Sequence, residues 1–289
     1  MHSFKDISII VHCRIDNEER GKNAKLVYDF YKANTKDSQV IFIEDDAEAK
    51  LHNYIHIDEN DKHVITGNTG NWHKTKCYND GATISEREYL YFLDLDVIVH
   101  PKYICEASST DSDLIIAYNG QSLYLNYDAK RVFEENNSYE CLESFIPSEW
   151  RFEGELLNHN IKAVQDYNTS KTGSPLNMYS YCMAPNNKAV GGCVVTKRDT
   201  FFKYKGFNPN FIGWGYEDNE LPTRVHKLGY NVTRINDPEA LLFHLPHDPV
   251  GGDPSKSAHK DSNNNHAEMD KIDHISKQDL EEYIKTWNV

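Results

Sequence analysis

The sequence predicts an α/β fold, with a mostly parallel central sheet flanked by helices. Three observations carry this expectation. Short apolar, β-branched runs alternate with stretches of helical periodicity through the first half of the chain. Two of those runs end in carboxylates, where ligands bind in sheets of this class. The length of 289 residues, 39% of them hydrophobic, suits one large domain or two small ones around a substantial core.

The elements follow in order. "ISIIVHC", from Ile7 to Cys13, reads as the first strand. In "NAKLVYDFYKAN", Leu26, Val27, Phe30 and Tyr31 recur at helical spacing. "QVIFIEDD" is a second strand running into Asp45 and Asp46, and "KHVITG" a third, closed by Gly67. "HKTKCYNDGATIS" reads as a helix. "EYLYFLDLDVIVHP" is a buried strand that runs into Asp94 and Asp96, and "DLIIAYNG" is another strand. Between 127 and 188, "AKRVFEENNSYECLESF" holds one or two helices, and "NTSKTGSPLNMYSYCMAPNNK" reads as a long loop, a kind of segment that often carries function. "AVGGCVVT" is a strand opened by Gly191 and Gly192, and "RDTFFKYKGF" a short helix. "NPNFIGWGYEDNELPTRVHKLG" is a glycine-containing loop leading into a helix with Leu221, Val225 and Leu228 as its apolar stripe and Gly229 as its stop. "YNVTRI" and "ALLFHLPH" are late strands. From Gly251 the polar stretch "GGDPSKSAHKDSNNNHAEMD" reads as a flexible segment or lid, and "ISKQDLEEYIKTW" as a closing helix capped by Ser276. Residues 1–250 are thus expected to form one domain, with 251–289 packed on it.

Composition narrows the function. A formal net charge of -14 argues against a broad nucleic-acid surface, which needs clustered Lys and Arg. It leaves room for an anionic substrate held locally by a metal ion and a few basic groups. Cys13, Cys77, Cys105, Cys141, Cys182 and Cys193 form no CxxC pair and read as reduced, buried thiols. The first residues read as a strand rather than a signal peptide, and no stretch reaches the roughly 20 apolar residues that span a bilayer. The expected location is the cytoplasm, with recruitment to the inner face of a membrane left open. The acidic closing helix is a poor match for an anionic surface.

Three clusters carry chemistry. In Asp94-Leu95-Asp96, two carboxylates flank one residue at a strand end. Burying them needs a cation or hydrogen-bond donors, and a hard divalent ion bridging to a diphosphate would meet that need. Taken alone, the same pattern is equally a strand-end turn with solvated acids. In "GWGYEDNE", Trp214 between Gly213 and Gly215 offers an aromatic platform for the apolar face of a sugar. Glu217 and Asp218 then fall at a helix start, where the dipole favours an ionised carboxylate fit to act as a base; simple helix capping is the competing reading. In "FHLPHDP", His244 or His247 could complete a metal site, although an isolated histidine is more often structural.

Taken in order, Asp94-Leu95-Asp96, Gly191-Gly192, Gly213-Trp214-Gly215-Tyr216-Glu217-Asp218 and His244 resemble the GT-A glycosyltransferases, in particular the β1,4-galactosyltransferases and the transferase domains of bacterial chondroitin polymerases. "NDGATISEREYLYFLDLD" and "VIFIEDD" are similar to further blocks of those enzymes, and the likeness spans roughly residues 7 to 250. The resemblance implies a GT-A type nucleotide-diphospho-sugar transferase fold. It implies that Asp96 binds the metal directly with His244, and that Asp94 completes the site nearer the ribose. His247 lies at a spacing from Asp218 closer to the animal galactosyltransferases, so the choice between the two histidines stays open. Asp218 resembles the catalytic base, Glu217 a group that helps hold the acceptor, and Trp214, with Gly215, the loop that meets donor and acceptor. Arg14, Asp45, Asp46, Lys74, Asn79, Gly191 and Gly192 are expected on the nucleotide side. Residues 127 to 188 align with nothing in the family and are expected to carry acceptor specificity.

The reaction so implied is an inverting transfer of a hexose or N-acetylhexosamine from a UDP-sugar, galactose or N-acetylgalactosamine favoured, to a saccharide or lipid-linked saccharide hydroxyl. Mn²⁺ is the expected ion, with Mg²⁺ as the alternative. Three other readings compete. A sugar-phosphate nucleotidyltransferase would want a Gly-rich phosphate loop, which "HCRIDNEERG" is not. A glycoside hydrolase would need two acids and no metal. A carbohydrate-binding protein would keep Trp214 and bind no nucleotide.

Overall fold

The computed structural model describes residues 1–146, 151–152, 155–156, 189–247 and 262–289. The chain enters through β1 (Ile7–Cys13), α1 (Glu18–Asn34), β2 (Gln39–Glu44), β3 (Lys62–Ile65), α2 (Lys74–Ile84) and β4 (Tyr89–Asp94). Every residue of β1 and β2 is buried, the pattern of parallel strands covered on both faces. Three short elements follow as β5 (Val97–Val99), α3 (Pro101–Ser108) and β6 (Leu114–Ile116), then β7 (Ser122–Tyr124). The stretch after them holds two helices, α4 (Tyr127–Asn136) and α5 (Tyr139–Ser144), each opened by a side-chain cap, from Asn126 and Ser138. Arg151–Phe152 and Glu155–Leu156 form a minor antiparallel pair. The expected loop from 168 to 188 lies outside the described residues.

The later elements are β8 (Cys193–Lys197), α6 (Arg198–Lys203), α7 (Glu217–Lys227), β9 (Val232–Arg234), β10 (Leu242–His244), α8 (Ser262–His274) and α9 (Lys277–Lys285). The main sheet has seven strands in the order β9-β6-β8-β4-β1-β2-β3. All its pairings are parallel except those of β8, which runs against both β4 and β6. The chain passes from β1 to β2 and β3 on one side, then crosses back to β4 on the other. That reversal opens a crevice at the carboxyl ends of β1 and β4, where ligands bind in such sheets. A second sheet, β5-β10-β7, stands beside it and brings His244 opposite Val97.

The strand expected after Gly191 and Gly192 forms over Cys193–Lys197 and runs antiparallel within the mostly parallel sheet. One expectation needs correction. The polar stretch after Gly251 is not structureless to its end, because α8 begins at Ser262. Its asparagine run is a weak helix former, yet Asn265 and Ile272 are buried, so tertiary contact with α7 outweighs propensity. Residues 248–261 lie outside the described residues. Ser276 caps α9 as expected, accepting from the Asp279 amide at 3.1 Å. Ile272, Leu280, Ile284 and Trp287 form a small apolar cluster of their own. Buried Arg224 of α7 stacks over Trp287 at 4.8 Å, while its guanidinium donates to the Tyr204 and Gly206 carbonyls and pairs with Glu220. Cys13, Cys77, Cys105, Cys141 and Cys193 are free thiols. Among the described residues no helix is long and apolar enough to cross a membrane.

Candidate active site

The crevice gathers residues from β1, α2, β4, α7 and β10. Its floor is the end of β4. There Asp94 lies opposite His12 of β1 in the parallel register. Asp94 accepts from His12 Nε2 at 2.9 Å and Tyr78 OH at 2.7 Å, and Lys74 Nζ lies 3.0 Å away. Burial would raise this carboxyl, but the Lys74 charge and the His12 bond more than offset it and hold it well below the ordinary range.

Asp96 sits in a different setting. Its backbone carbonyl accepts from the Leu245 amide at 2.7 Å, which staples the end of β10 beside it. His247 Nε2 is 3.0 Å from Asp96 Oδ2, and His244 Nε2 is 3.6 Å from Oδ1. The three side chains place one ligand atom each within 4.8 Å of one another. The structure therefore brings both histidines to Asp96, and it leaves Asp94 outside that group, bound inward by Lys74, His12 and Tyr78.

The donor set fits a divalent transition ion. His244 Nδ1 faces the Leu245 carbonyl at 2.8 Å, and a carbonyl only accepts, so Nδ1 carries the proton and Nε2 keeps its lone pair. Burial lowers His244, against the opposing pull of Asp96, which favours the neutral, ligating form. Tyr124 stacks on the His244 ring at 4.3 Å and fixes its plane. One carboxylate and two imidazoles suit Mn²⁺ or Zn²⁺ better than Mg²⁺, which prefers oxygen.

Across the crevice, α7 presents Asp218 in its first turn. Lys74 Nζ lies 3.0 Å from Asp218 and 3.4 Å from Glu217, so one buried ammonium faces three carboxylates. One charge cannot compensate three. Burial raises Asp218, Lys74 opposes this, and Glu217 and Asp94 add repulsion; the carboxyl is pushed up to about 7. The expectation that the helix dipole keeps Asp218 fully ionised is thus outweighed by desolvation and like charge. Burial would lower Lys74, but Asp218 and Asp94 hold it charged. Glu217 is buried and accepts from the Gly215 amide at 2.9 Å, which makes it a brace for the tryptophan loop. Trp214 is 60% exposed, open to a ligand rather than packed. A Cβ on Gly191 would lie 2.3 Å from Asp218 Oδ2, and the Gly192 carbonyl accepts from the Asp94 amide, so both glycines set the spacing of the acids.

The residues expected on the nucleotide side divide. Arg14 lies at the crevice mouth and donates to the Gly70 carbonyl at 2.8 Å. Asp45 accepts from Thr66, Asn68 and the His73 amide, and Asp46 from the Ile15 amide and Lys50. These two acids hold the loop after β3 and the turn after β1. Asn79 spends both amide atoms on the backbone of Phe207, at 2.8 and 2.9 Å, which leaves it a structural pin. The sequence reading missed His12, Tyr78 and Tyr124. His12 alone had a signal, an imidazole near the end of a mostly apolar strand.

Comparison with known proteins gives this arrangement a context. Residues 176–248 match the family described as the N-terminal domain of galactosyltransferase. The chain resembles the β1,4-galactosyltransferases in sequence and in fold. It is 39% identical over 72 residues to β-1,4-galactosyltransferase 6 of Mus musculus, covering 25% of this chain and 19% of that protein. Over the same length it is 38% identical to β-1,4-galactosyltransferase 5 of Danio rerio, again 25% of this chain and 19% of that protein. The chain thus spans about a fifth of the length of these curated relatives. Among solved structures it superposes on a Drosophila β1,4-galactosyltransferase 7 mutant in complex with manganese, UDP-Gal and xylobiose, with a TM-score of 0.51 and 14% identity over 96% of this chain and 84% of that one. The fold is accordingly the GT-A type. Trp214, Asp218, His244 and His247 all fall inside the galactosyltransferase-like segment.

Proposed function

We propose that this chain is a metal-dependent, inverting glycosyltransferase that moves a hexose or N-acetylhexosamine from a UDP-sugar to a saccharide hydroxyl. Galactose and N-acetylgalactosamine are the favoured donor sugars. The observation that carries the reading is the meeting of Asp96, His244 and His247 on one side of the crevice with Asp218 on the other, most of them within the galactosyltransferase-like segment. The manganese, UDP-Gal and xylobiose bound by the Drosophila structure are consistent with it.

Asp96, His244 and His247 are the residues that would hold the ion, which when bound would neutralise charge on a leaving diphosphate. Asp218, ionised above about pH 7, takes the proton of the attacking hydroxyl. Lys74 keeps that carboxylate oriented toward the crevice. Trp214 lies under the acceptor, and Glu217 holds the Gly215 amide that shapes its loop. Attack from the face opposite the leaving group inverts the anomeric centre. A role in polysaccharide or glycan synthesis in the cytoplasm, with a lipid-linked or growing saccharide as acceptor, belongs to the same proposal.

The test is a transfer assay with UDP-Gal, UDP-GalNAc and UDP-GlcNAc against xylobiose and other disaccharides, in Mn²⁺ and again in EDTA. Turnover with one donor, abolished by EDTA and restored by Mn²⁺, is expected. The absence of both turnover and a Mn²⁺-dependent thermal shift with every UDP-sugar would overturn the reading and reopen the binding-protein alternative.

A further inference from the structure

The loop carrying Trp214 presents a mechanical problem. Trp214 is 60% exposed, so packing holds it little. It lies between Gly213, with φ +73, and Gly215, with φ +111 and no atom near its missing Cβ. Such a segment has wide backbone freedom and needs restraint to present one face to a ligand. Two restraints come from the crevice side. The Gly213 amide donates to the Trp72 carbonyl at 2.7 Å, and the Gly215 amide to Glu217.

The third comes from α8. Asn265 is 1% exposed, and its side-chain amide donates to the Ile212 carbonyl at 2.9 Å and the Trp214 carbonyl at 3.4 Å. Its Oδ1 accepts from the Ile212 amide at 3.3 Å. A buried asparagine in a helix is costly for propensity and for desolvation. Here the amide grips three backbone groups on both sides of Gly213. The helix that delivers it is itself fixed. Glu268 accepts from Asn208 and from Tyr283 OH, both at 2.8 Å, and Lys227 of α7 donates to the Ile272 and Asp273 carbonyls.

We infer that Asn265 is a positioning residue that sets the tryptophan loop for acceptor binding, acting through the backbone of Ile212 and Trp214. The inference rests on the reading of Trp214 as the acceptor platform. Asn265→Asp separates this role from packing. The carboxylate keeps the size and the acceptor for the Ile212 amide, but loses the donor and meets two carbonyl oxygens instead.

The experiment measures KM for donor and acceptor separately, using whichever disaccharide of the panel turns over, on the parent, Asn265→Asp, Asn265→Ala and Trp214→Ala. Expected for both Asn265 variants is a rise in acceptor KM of roughly 3–10-fold, with donor KM and the Mn²⁺-dependent UDP thermal shift unchanged. Trp214→Ala is expected to raise acceptor KM at least as much. Acceptor KM within twofold of the parent in both Asn265 variants, or an equal rise in donor KM, overturns the inference. If Trp214→Ala leaves acceptor KM unchanged, the platform reading fails and this inference fails with it.

Discussion

Asp94 and Asp96 are separated by one residue and face opposite kinds of chemistry. Asp94 is tied inward by His12, Tyr78 and Lys74, groups that donate hydrogen bonds to it. Asp96 faces His244, whose Nε2 keeps its lone pair, and His247, whose Nε2 lies 3.0 Å from its carboxylate. The strand pleat sends successive odd and even positions to different faces, but here the intervening Leu95 is itself fully buried and the chain turns after β4. The difference therefore comes from what the neighbouring strands bring. β1 brings a proton donor to Asp94, and β10 brings ligand atoms to Asp96. One acid organises the scaffold and the other is equipped for an ion.

The largest test of this division uses Asp218 as the reference. Asp218→Asn is expected to lower turnover by about 10²–10⁴-fold while leaving Mn²⁺-dependent UDP stabilisation intact. Turnover near that of the parent would remove Asp218 from the role of base. Asp96→Asn should lose both turnover and the Mn²⁺-dependent shift, a shift worth about 2.7 kcal/mol in the parent at a hundredfold excess over Kd. Its Tm without metal should stay close to the parent's. Asp94→Ala should show the reverse pattern on stability. It strips the acceptor from His12 and Tyr78, and the expected loss is about 2–4 kcal/mol in denaturant unfolding. Equal stability of the two variants would break the comparison.

The smallest effect concerns pH. Asp218 is protonated below its value of about 7 and ionised above it, so kcat/KM should rise as pH passes through 7 and then level off. Lys74→Met removes the cation that favours the ionised form, and the rise should move to higher pH. A rise that stays in place would show that Lys74 does not govern the base.

Much of this was legible in the sequence because it was written locally. Strand and helix periodicities placed β1, α1, β2, α2 and β4, and the family resemblance tied Asp96, Asp218 and the two histidines to one site. What sequence hid were facts of pairing. Nothing in "AVGGCVVT" says that its strand runs against its neighbours. Nothing in His12 says that it will lie across from Asp94. The preference for His244 over His247 was unresolved because two residues of spacing mean little until the Leu245 amide pins the turn to Asp96. Asn265 was unreadable for the same reason, since its value lies in the carbonyls it meets. The structural ties of Asn79 were equally hidden, because sequence does not show that its amide donates to and accepts from the Phe207 backbone.

Gly191 carries a last consequence. The atom it lacks would occupy almost the same space as Asp218 Oδ2, 2.3 Å away. The residue works as a calibrated gap, whose width decides how far the carboxylate on α7 can lean toward the end of β4. A single methyl at this position would press directly on an acid of another element, so the smallest possible substitution here shifts the carboxylate proposed as the base.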